Sequence, residues 1–254
     1  MKLSVIVITK NGEATIRRCL ESVAWADERV VLDSGSTDRT LEICRELGAA
    51  VHLTPDWPGC GPQRNRAIER TRGDWLLALD QDEWASPELA AEIRQALAAP
   101  GDRRAFVTPR RSSFCGRYMR HSGWWPDYIT RLFRRDAGRY SEDHMHDRAI
   151  VEGPVGRLRH PIMHEAVADL DQMIAKMNSY SSVSAALFGR QGRRASLATA
   201  MLHGWWAFTR TYFLRLGFLD GREGFMLAVA NAEGSYYRYL KLMLLSKKRV
   251  NGKS

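Results

Sequence analysis

The spacing of apolar positions changes twice along this chain. "LSVIVIT" (3–9) is a continuous apolar, β-branched run, the mark of a strand covered on both faces. Ile16, Cys19, Leu20 and Val23 then recur at helical spacing. "RVVLD" (29–33) reads as a second strand, and Leu41, Cys44 and Leu47 share one face of the helix after it, with Ser36 and Asp38 as candidate caps. "AAVHL" (49–53) predicts a third strand, "QRNRAIERT" (63–71) a helix and "DWLLALD" (74–80) another buried strand. "SPELAAEIRQAL" (86–97) carries a full set of helix signals: Ser86 at the N-cap, Pro87 in the first turn, and Leu89, Ile93 and Leu97 on one side. Strand–helix alternation of this kind predicts an α/β fold built on a mostly parallel sheet.

The first change of period comes at about Ala105. From there to His164, short strand-like pieces ("AFVTP", "DYITRLF", "RAIVEG", "RLRHPIM") alternate with Gly and Pro. The second comes at about Val167, where the pattern turns helical. Leu170, Ile174, Met177, Ser181, Ser184 and Phe188 fall within one stripe. Two more helices are predicted at about 196–215 and 222–245, with Gly217 and Gly221 marking the turn between them. The later helix is expected to bury Phe225, Val229, Ala232, Tyr236, Tyr239 and Met243.

Composition narrows the picture. A length of 254 residues suits one large domain or one domain with a substantial appendage. Cys19, Cys44, Cys60 and Cys115 are scattered and form no C-x-x-C pair, so reduced, mostly buried thiols are expected. "MKLSVIVITKN" lacks a small-residue cleavage site, and no stretch approaches the ~18 apolar residues that would span a bilayer. A cytoplasmic protein, or one held only peripherally at a membrane, is the expectation. The net charge of +9 is unevenly placed: from Tyr180 onward there are 12 Lys and Arg against 3 acids, and the remainder balances at 26 against 26. Such asymmetry points to an anionic surface as partner, nucleic acid or acidic lipid.

The candidate chemistry sits at strand ends. In open α/β sheets, ligands bind beyond the carboxyl ends of strands. Three predicted strands end in polar clusters: Thr9-Lys10-Asn11, Asp33-Ser34-Gly35-Ser36 and Asp80-Gln81-Asp82. If the last cluster is extended, Asp80 and Asp82 face the same way and Gln81 faces away with little effect. Two carboxylates on one face repel unless a cation lies beside them, and Mg²⁺ commonly takes one or two carboxylates plus substrate phosphates. The plainer alternative makes one acid a helix cap and leaves the other in solvent. Asp33 has a similar choice between holding a ribose or base edge and ordering its own loop.

The segments "SVIVITKNGEATIRRCLESV", "VVLDSGSTDRT", "WPGCGPQRNRAI" and "GDWLLALDQDEW", in this order, resemble family 2 nucleotide-sugar glycosyltransferases of the GT-A fold. The likeness is strongest to bacterial lipopolysaccharide core β-glucosyltransferases. It continues through "SGWWPDYITRLFRR", "IVEGPVGRL", "KMNSYSSVSAALF" and "LRLGFLDGREGFMLAVANAEGSYYRYLKL". The resemblance implies a GT-A catalytic domain over residues 1–165, with residues 1–100 binding the nucleotide sugar and 101–165 serving acceptor and catalysis. Residues 166–254 would form a basic helical region that associates with a membrane.

The resemblance also implies roles for individual residues. Thr9, Asn11 and Glu13 would contact the nucleotide, although Gly12 separates Asn11 from Glu13 where many relatives have them adjacent. Asp33 would hold the uridine, and Gln63, Arg64 and Asn65 would contact the donor. Asp80 and Asp82 match the D-x-D motif, with Asp80 toward ribose and metal and Asp82 toward the metal, Mg²⁺ or Mn²⁺. His164 is a further candidate for metal or diphosphate. Where relatives show His-Glu this chain has His146-Asp147, so Asp147, with Asp143 next, is the candidate general base. Arg131, Arg134 and Arg135 are candidates for phosphate, or else solvent-facing strand cations.

The implied activity is inverting transfer of a sugar, with UDP-glucose the preferred donor, to a lipopolysaccharide inner-core or similar lipid-linked saccharide. Trp205, Trp206, Phe208, Tyr212, Phe213 and Phe218, interleaved with Arg210 and Arg215, suit an acidic membrane surface on one side and helix packing on the other. A polyprenyl-phosphate glycosyltransferase is the nearest alternative. A nucleic-acid-binding module lacks an RRM, zinc-finger or helix-turn-helix signature and leaves the strand-end acids without a purpose. "GCGPQR" lacks the third glycine and the strand context of a dinucleotide fingerprint.

Overall fold

The computed structural model describes residues 1–142 and 148–251, with side chains in the last helix described as far as Ser246. In chain order, the elements are β1 (Leu3–Thr9), α1 (Ile16–Ser22), β2 (Glu28–Asp33), α2 (Thr40–Glu46), β3 (Ala50–Leu53), α3 (Cys60–Ile68), β4 (Trp75–Asp80), β5 (Glu83–Ala85), α4 (Pro87–Ala98) and β6 (Ala105–Phe114). The chain continues through β7 (Arg117–Tyr118), β8 (Asp127–Arg134), β9 (Gly138–Tyr140), β10 (Ala149–Val151), β11 (Val155–Arg157) and β12 (Ile162–Val167). It closes with α5 (Leu170–Arg190), α6 (Leu197–Thr209), a π-turn (Arg210–Leu214), a 3-10 turn (Gly217–Asp220) and α7 (Gly221–Asn251).

Two compact units emerge. The first comprises Met1–Arg111 and Asp127–His164, the second Ser112–Pro126 and Glu165–Ser254. The first unit is a mixed sheet in the order β3-β2-β1-β4-β8-β6-β12-β5, flanked by helices. β3, β2, β1 and β4 are parallel, as expected from their continuous apolar runs. β8 then runs antiparallel to β4, and β6 antiparallel to β8. β8 and β6 thus extend the sheet antiparallel, which needs no crossover helix, while β11 joins β6 in parallel and β10 pairs with β9 in a separate two-stranded sheet.

β1 is buried at every position, and β4 at all but Asp80. One sheet face packs Val5, Val7, Leu77 and Leu79 against Ile16 and Leu20 of α1, Cys44 of α2 and Leu89 and Ile93 of α4. The other packs Ile6, Ile8, Val30, Leu76 and Ala78 against Ala67 of α3 and Phe133 and Tyr140. α4 forms as the sequence predicts: the Ser86 hydroxyl accepts the Leu89 N–H at 3.2 Å, and Pro87 opens the first turn. Cys19 and Cys44 are buried free thiols, and burial pushes the Cys44 thiol up to about 11.

α2 starts differently from its prediction. Its N-cap position is Arg39, while Asp38 accepts from the Thr40 N–H and hydroxyl and Ser36 is engaged by Asp33.

In the second unit, Phe114, Met119, Val167 and Leu227 form a small core. The helical stripes read from spacing need correction. On α5, Leu170 and Ile174 are about half exposed, and Ser181 and Ala185 are the buried positions. On α7, Phe225 is 47% exposed, and Leu227, Ala228, Ala230 and Leu242 are buried instead. The reason is that α7 packs against both α5 and α6, so its covered arc is set by two neighbours rather than by one apolar stripe. Among the described residues, no helix is long and apolar enough to cross a membrane.

Truncating a side chain in the packed layer should show directly in stability. Ile93→Ala is expected to cost about 2–5 kcal/mol in urea denaturation with an unchanged m-value, and Ser86→Ala about 1 kcal/mol.

Candidate active site at the strand ends

Parallel register brings the three polar clusters together, setting Thr9 beside Asp33 and Ile8 beside Asp80. The loops after β1 and β2 are tied by side chains. Asn11, in the left-handed region at φ 51, donates its N–H to Ser36 Oγ and accepts the Thr37 N–H on Oδ1, both at 2.8 Å. Glu13 donates its N–H to Asp38 at 3.1 Å and accepts the Arg39 N–H at 3.1 Å. Asp33 is fully buried: Oδ1 accepts the N–H groups of Gly35 and Ser36 at 2.9 Å, and Oδ2 accepts the Ser36 hydroxyl. The carboxylate therefore orders its own turn.

Gln63, also fully buried, donates to Ser34 Oγ at 2.8 Å and to Thr54 Oγ1 at 2.5 Å. Asn65 behaves as a backbone surrogate, donating to the Tyr140 carbonyl at 2.9 Å and accepting the Tyr140 N–H at 2.8 Å. These bonds give Asn11, Glu13, Asp33, Gln63 and Asn65 structural partners at the rim of the sheet.

The third cluster departs from the sequence reading. β4 stops at Asp80 and residues 81–82 form a turn, so the alternation of an extended strand does not govern them. Gln81 does not face away idly. Its Oε1 accepts the Thr9 hydroxyl at 2.6 Å and the Lys10 N–H at 3.0 Å, tying the end of β4 to the end of β1. Gly12 makes room for this, because a Cβ there would sit 2.7 Å from Gln81 Oε1.

Asp80 and Asp82 consequently have separate partners. Asp80 is clamped by two arginines: Arg64 holds one oxygen, and Arg131 Nη2 holds the other at 2.7 Å. Arg131, only 6% exposed, also bonds Glu83 Oε1 at 3.0 Å. Glu83 is fully buried; it accepts the Asp80 N–H at 3.0 Å and lies 3.4 Å from Arg110, which in turn pairs with Asp127 at 2.7 Å. Arg64 lies 5.0 Å from the centre of the Tyr140 ring. Burial works to raise the Asp80 carboxyl, but the Arg131 and Arg64 charges outweigh it and hold the group well below the usual carboxylate range. Beneath it, Cys19 Sγ lies 3.5 Å from the Asp80 carbonyl; burial, reinforced by Glu83, Asp80 and Asp82, keeps that thiol protonated.

Arg131 is thus neither solvent-facing nor placed to wait for phosphate, and Arg134 is paired with Asp136 at 3.0 Å. Spacing missed the importance of Arg131 and Glu83. The usable signal was an arginine inside the apolar strand "DYITRLF", since a buried cation needs a counter-charge.

Asp82 is about 30% exposed, and its Oδ2 lies 3.6 Å from His164 Nε2, which reaches it because β12 pairs with β5 in a register that sets His164 opposite Glu83. Among the described residues, no three His, Cys, Asp or Glu side chains converge as a finished metal cage. Asp82 and His164 nonetheless offer one oxygen and one nitrogen donor. Such an incomplete set fits a cation whose remaining ligands are substrate phosphates and water. Asp80 offers less, because both oxygens already face guanidinium groups. Asp143 and Asp147, the candidate bases, lie outside the described residues.

The family described as "Glycosyl transferase family 2" matches residues 4–152. An uncharacterized glycosyltransferase of Rickettsia bellii is 32% identical over 260 residues, covering 96% of this chain and 87% of the relative. The lipopolysaccharide core biosynthesis glycosyltransferase LpsC of Rhizobium meliloti is 29% identical over 254 residues, covering 94% of this chain and 90% of the relative. Among solved structures, S. aureus TarS 1-349 in complex with UDP-GlcNAc superposes with a TM-score of 0.50 at 16% identity, covering 98% of this chain and 92% of that one. At that identity the likeness concerns the fold, which is GT-A.

The clamp makes stability depend on acid in a defined direction. The folded pKa of Asp80 lies below its unfolded value, so folding favours the ionised form. That contribution is complete above about pH 4 and fades as pH falls toward the depressed folded value. Asp80→Asn should therefore cost about 3 kcal/mol in urea denaturation at pH 7, with the gap to wild type closing progressively below about pH 4.

Proposed function

Because this chain belongs to glycosyl transferase family 2, we propose that it transfers a sugar, glucose from UDP-glucose being our choice, to a lipopolysaccharide inner-core or similar lipid-linked saccharide. Transfer proceeds with inversion to give a β-linkage. The observation that carries this reading is the convergence of the β1, β2 and β4 ends on one rim, with Asp82 and His164 beside the arginine-clamped Asp80. The name of LpsC, similar along nearly the whole chain, supports the choice of acceptor class.

In this reading Thr9, Asn11, Glu13 and Asp33 line the nucleotide side, their loops held by bonds between the β1 and β2 ends, by the Asp33 turn and by Gln81 from the end of β4. Gln63, Arg64 and Asn65 border it from α3. Asp82 and His164, with Asp80 behind them, would hold Mg²⁺ or Mn²⁺. Such an ion stabilises the negative charge that grows on a departing diphosphate. Arg64 and Arg131 keep Asp80 ionised and fix its direction, which preorganises the field at the rim.

The acceptor hydroxyl loses its proton as it attacks, and Asp147 is our candidate base, with Asp143 next. Residues 1–165 serve donor binding and catalysis, and 166–254 bring the enzyme to the inner face of the cytoplasmic membrane. Exposed Trp205, Trp206 and Phe213 and the basic excess after Tyr180 support that role.

The test is a panel of nucleotide sugars with Mg²⁺ or Mn²⁺ and a lipid-linked core acceptor, followed through released nucleotide and product linkage. UDP-glucose turnover that stops on chelation is expected. Asp147→Ala is expected to lose about 10²–10⁴-fold in kcat, and Asp82→Ala to lose turnover that excess metal partly restores. Undiminished turnover in Asp82→Ala would remove the metal assignment; in Asp147→Ala it would move the base elsewhere.

A further inference from the structure

The second unit contains a cavity that the strand-end chemistry does not use. It encloses about 290 Å³, just under the ~300 Å³ at which ligand pockets usually begin, and so has room for a headgroup rather than a whole saccharide. Three separate segments build it. Trp124 comes from the loop after β7, Arg210 from the π-turn and Arg215 from the residue just after it, and Asn231, Ser235 and Arg238 from α7.

Local geometry explains the convergence. The Arg215 N–H bonds the Arg210 carbonyl at 2.9 Å, an i to i+5 closure that sets the two arginines one widened turn apart. Asn231, Ser235 and Arg238 recur at spacings of four and three, on one face of α7. Asn231 donates to Thr211 at 3.3 Å and joins helix to π-turn. Gly123, at φ +79, is where the Arg215 guanidinium rests: a Cβ there would sit 2.3 Å from its Nη1.

The charge balance identifies the ligand class. Three arginines line one small cavity, and among the described residues no carboxylate pairs with Arg210, Arg215 or Arg238. The buried acids of this unit are occupied elsewhere. Asp220 accepts the N–H groups of Arg120 and His121 and the Ser122 hydroxyl, and Glu223 faces Arg222 and Arg117. Nε of Arg238 is buried without a hydrogen-bond partner. Like charges gathered this way repel unless an anion joins them, and guanidinium forks match phosphate oxygens better than any other common anion-binding side chain.

We propose that this cavity binds a phosphate oxyanion, supplied by a phosphorylated lipid headgroup or by free phosphate. Exposed Trp205 and Trp206 on α6, and Phe213 and Leu214 in the π-turn, favour the lipid source. Its further identification as the phosphate of a lipid-linked acceptor rests on the sugar-transfer reading above.

The experiment titrates the full chain with inorganic phosphate at constant ionic strength. In parallel it measures co-sedimentation with phosphatidylcholine vesicles with and without phosphatidate. Expected is saturable phosphate binding, weakened about tenfold or more in Arg238→Gln and in Arg210→Gln, whose exposed side chain makes misfolding a minor risk. A thermal melt confirms that each variant is folded. Phosphatidate-dependent sedimentation lost in the same variants identifies the lipid source. Phosphate binding with no vesicle preference identifies the soluble one. Absence of phosphate binding by the wild type, or wild-type affinity in both variants, overturns the proposal. Nucleotide-sugar hydrolysis without acceptor should be unchanged in Arg238→Gln, so failure of the phosphate site and failure of the sugar-transfer reading are separately visible.

Discussion

The first unit depends on one buried guanidinium. Arg131, on β8, is buried and bridges Asp80 at the end of β4 to Glu83 of β5, a carboxylate with no solvent exposure. Removing charges from water is expensive, and only close opposite charges with satisfied hydrogen bonds offset that cost. Here the offset is arranged as a network: Arg64 approaches Asp80 from α3, and Arg110 and Asp127 extend the network along β6 and β8. A hydrophobic strand can therefore end in acid without splaying open. The same contacts fix where Asp80 points and how far β5 turns away from β4.

This arrangement divides the work of the two acids. Asp80 is a preformed fixed charge, while Asp82, on the turn, stays accessible beside His164. Most other polar groups at the rim are held by one another: Asn11 to Ser36 and Thr37, Asp33 to its own turn, Gln63 to Ser34 and Thr54. If the rim takes a nucleotide as proposed, that ligand would meet oriented groups, with little ordering left to do on binding. Preorganisation of that kind is where electrostatic catalysis draws its advantage.

The second unit uses its aromatic residues in two ways. Phe208, Tyr212, Phe213 and Phe225 contact one another edge to face or stacked around the π-turn, which stiffens the segment bearing Arg210 and Arg215. Trp205 and Trp206 remain largely exposed on α6. Cations that share a cavity and aromatics that face outward are thus separate features of one helical hairpin, though composition presents them as a single basic, aromatic tail.

Short-range signals made much of this molecule legible from its sequence. The β-branched runs of β1 and β2 and the apolar run of β4, the Ser86–Pro87 start of α4 and the three polar strand ends could all be placed, because each rests on neighbours within a few residues. The family resemblance in the first hundred residues follows from the same local motifs. What the sequence could not decide was which distant group would answer a given charge or cover a given helix face. Arg131 meets Asp80 across 51 residues, Gln81 turns back to Thr9 because β4 ends in a turn, and Asn65 spends its amide on Tyr140, 75 residues away. α7 buries Leu227 rather than Phe225 because two helices flank it, and Ser112–Pro126, although it begins with the end of β6, groups with the C-terminal helices. Local propensity acts along the chain, whereas charge pairing and burial act through space, so only the tertiary structure could settle them.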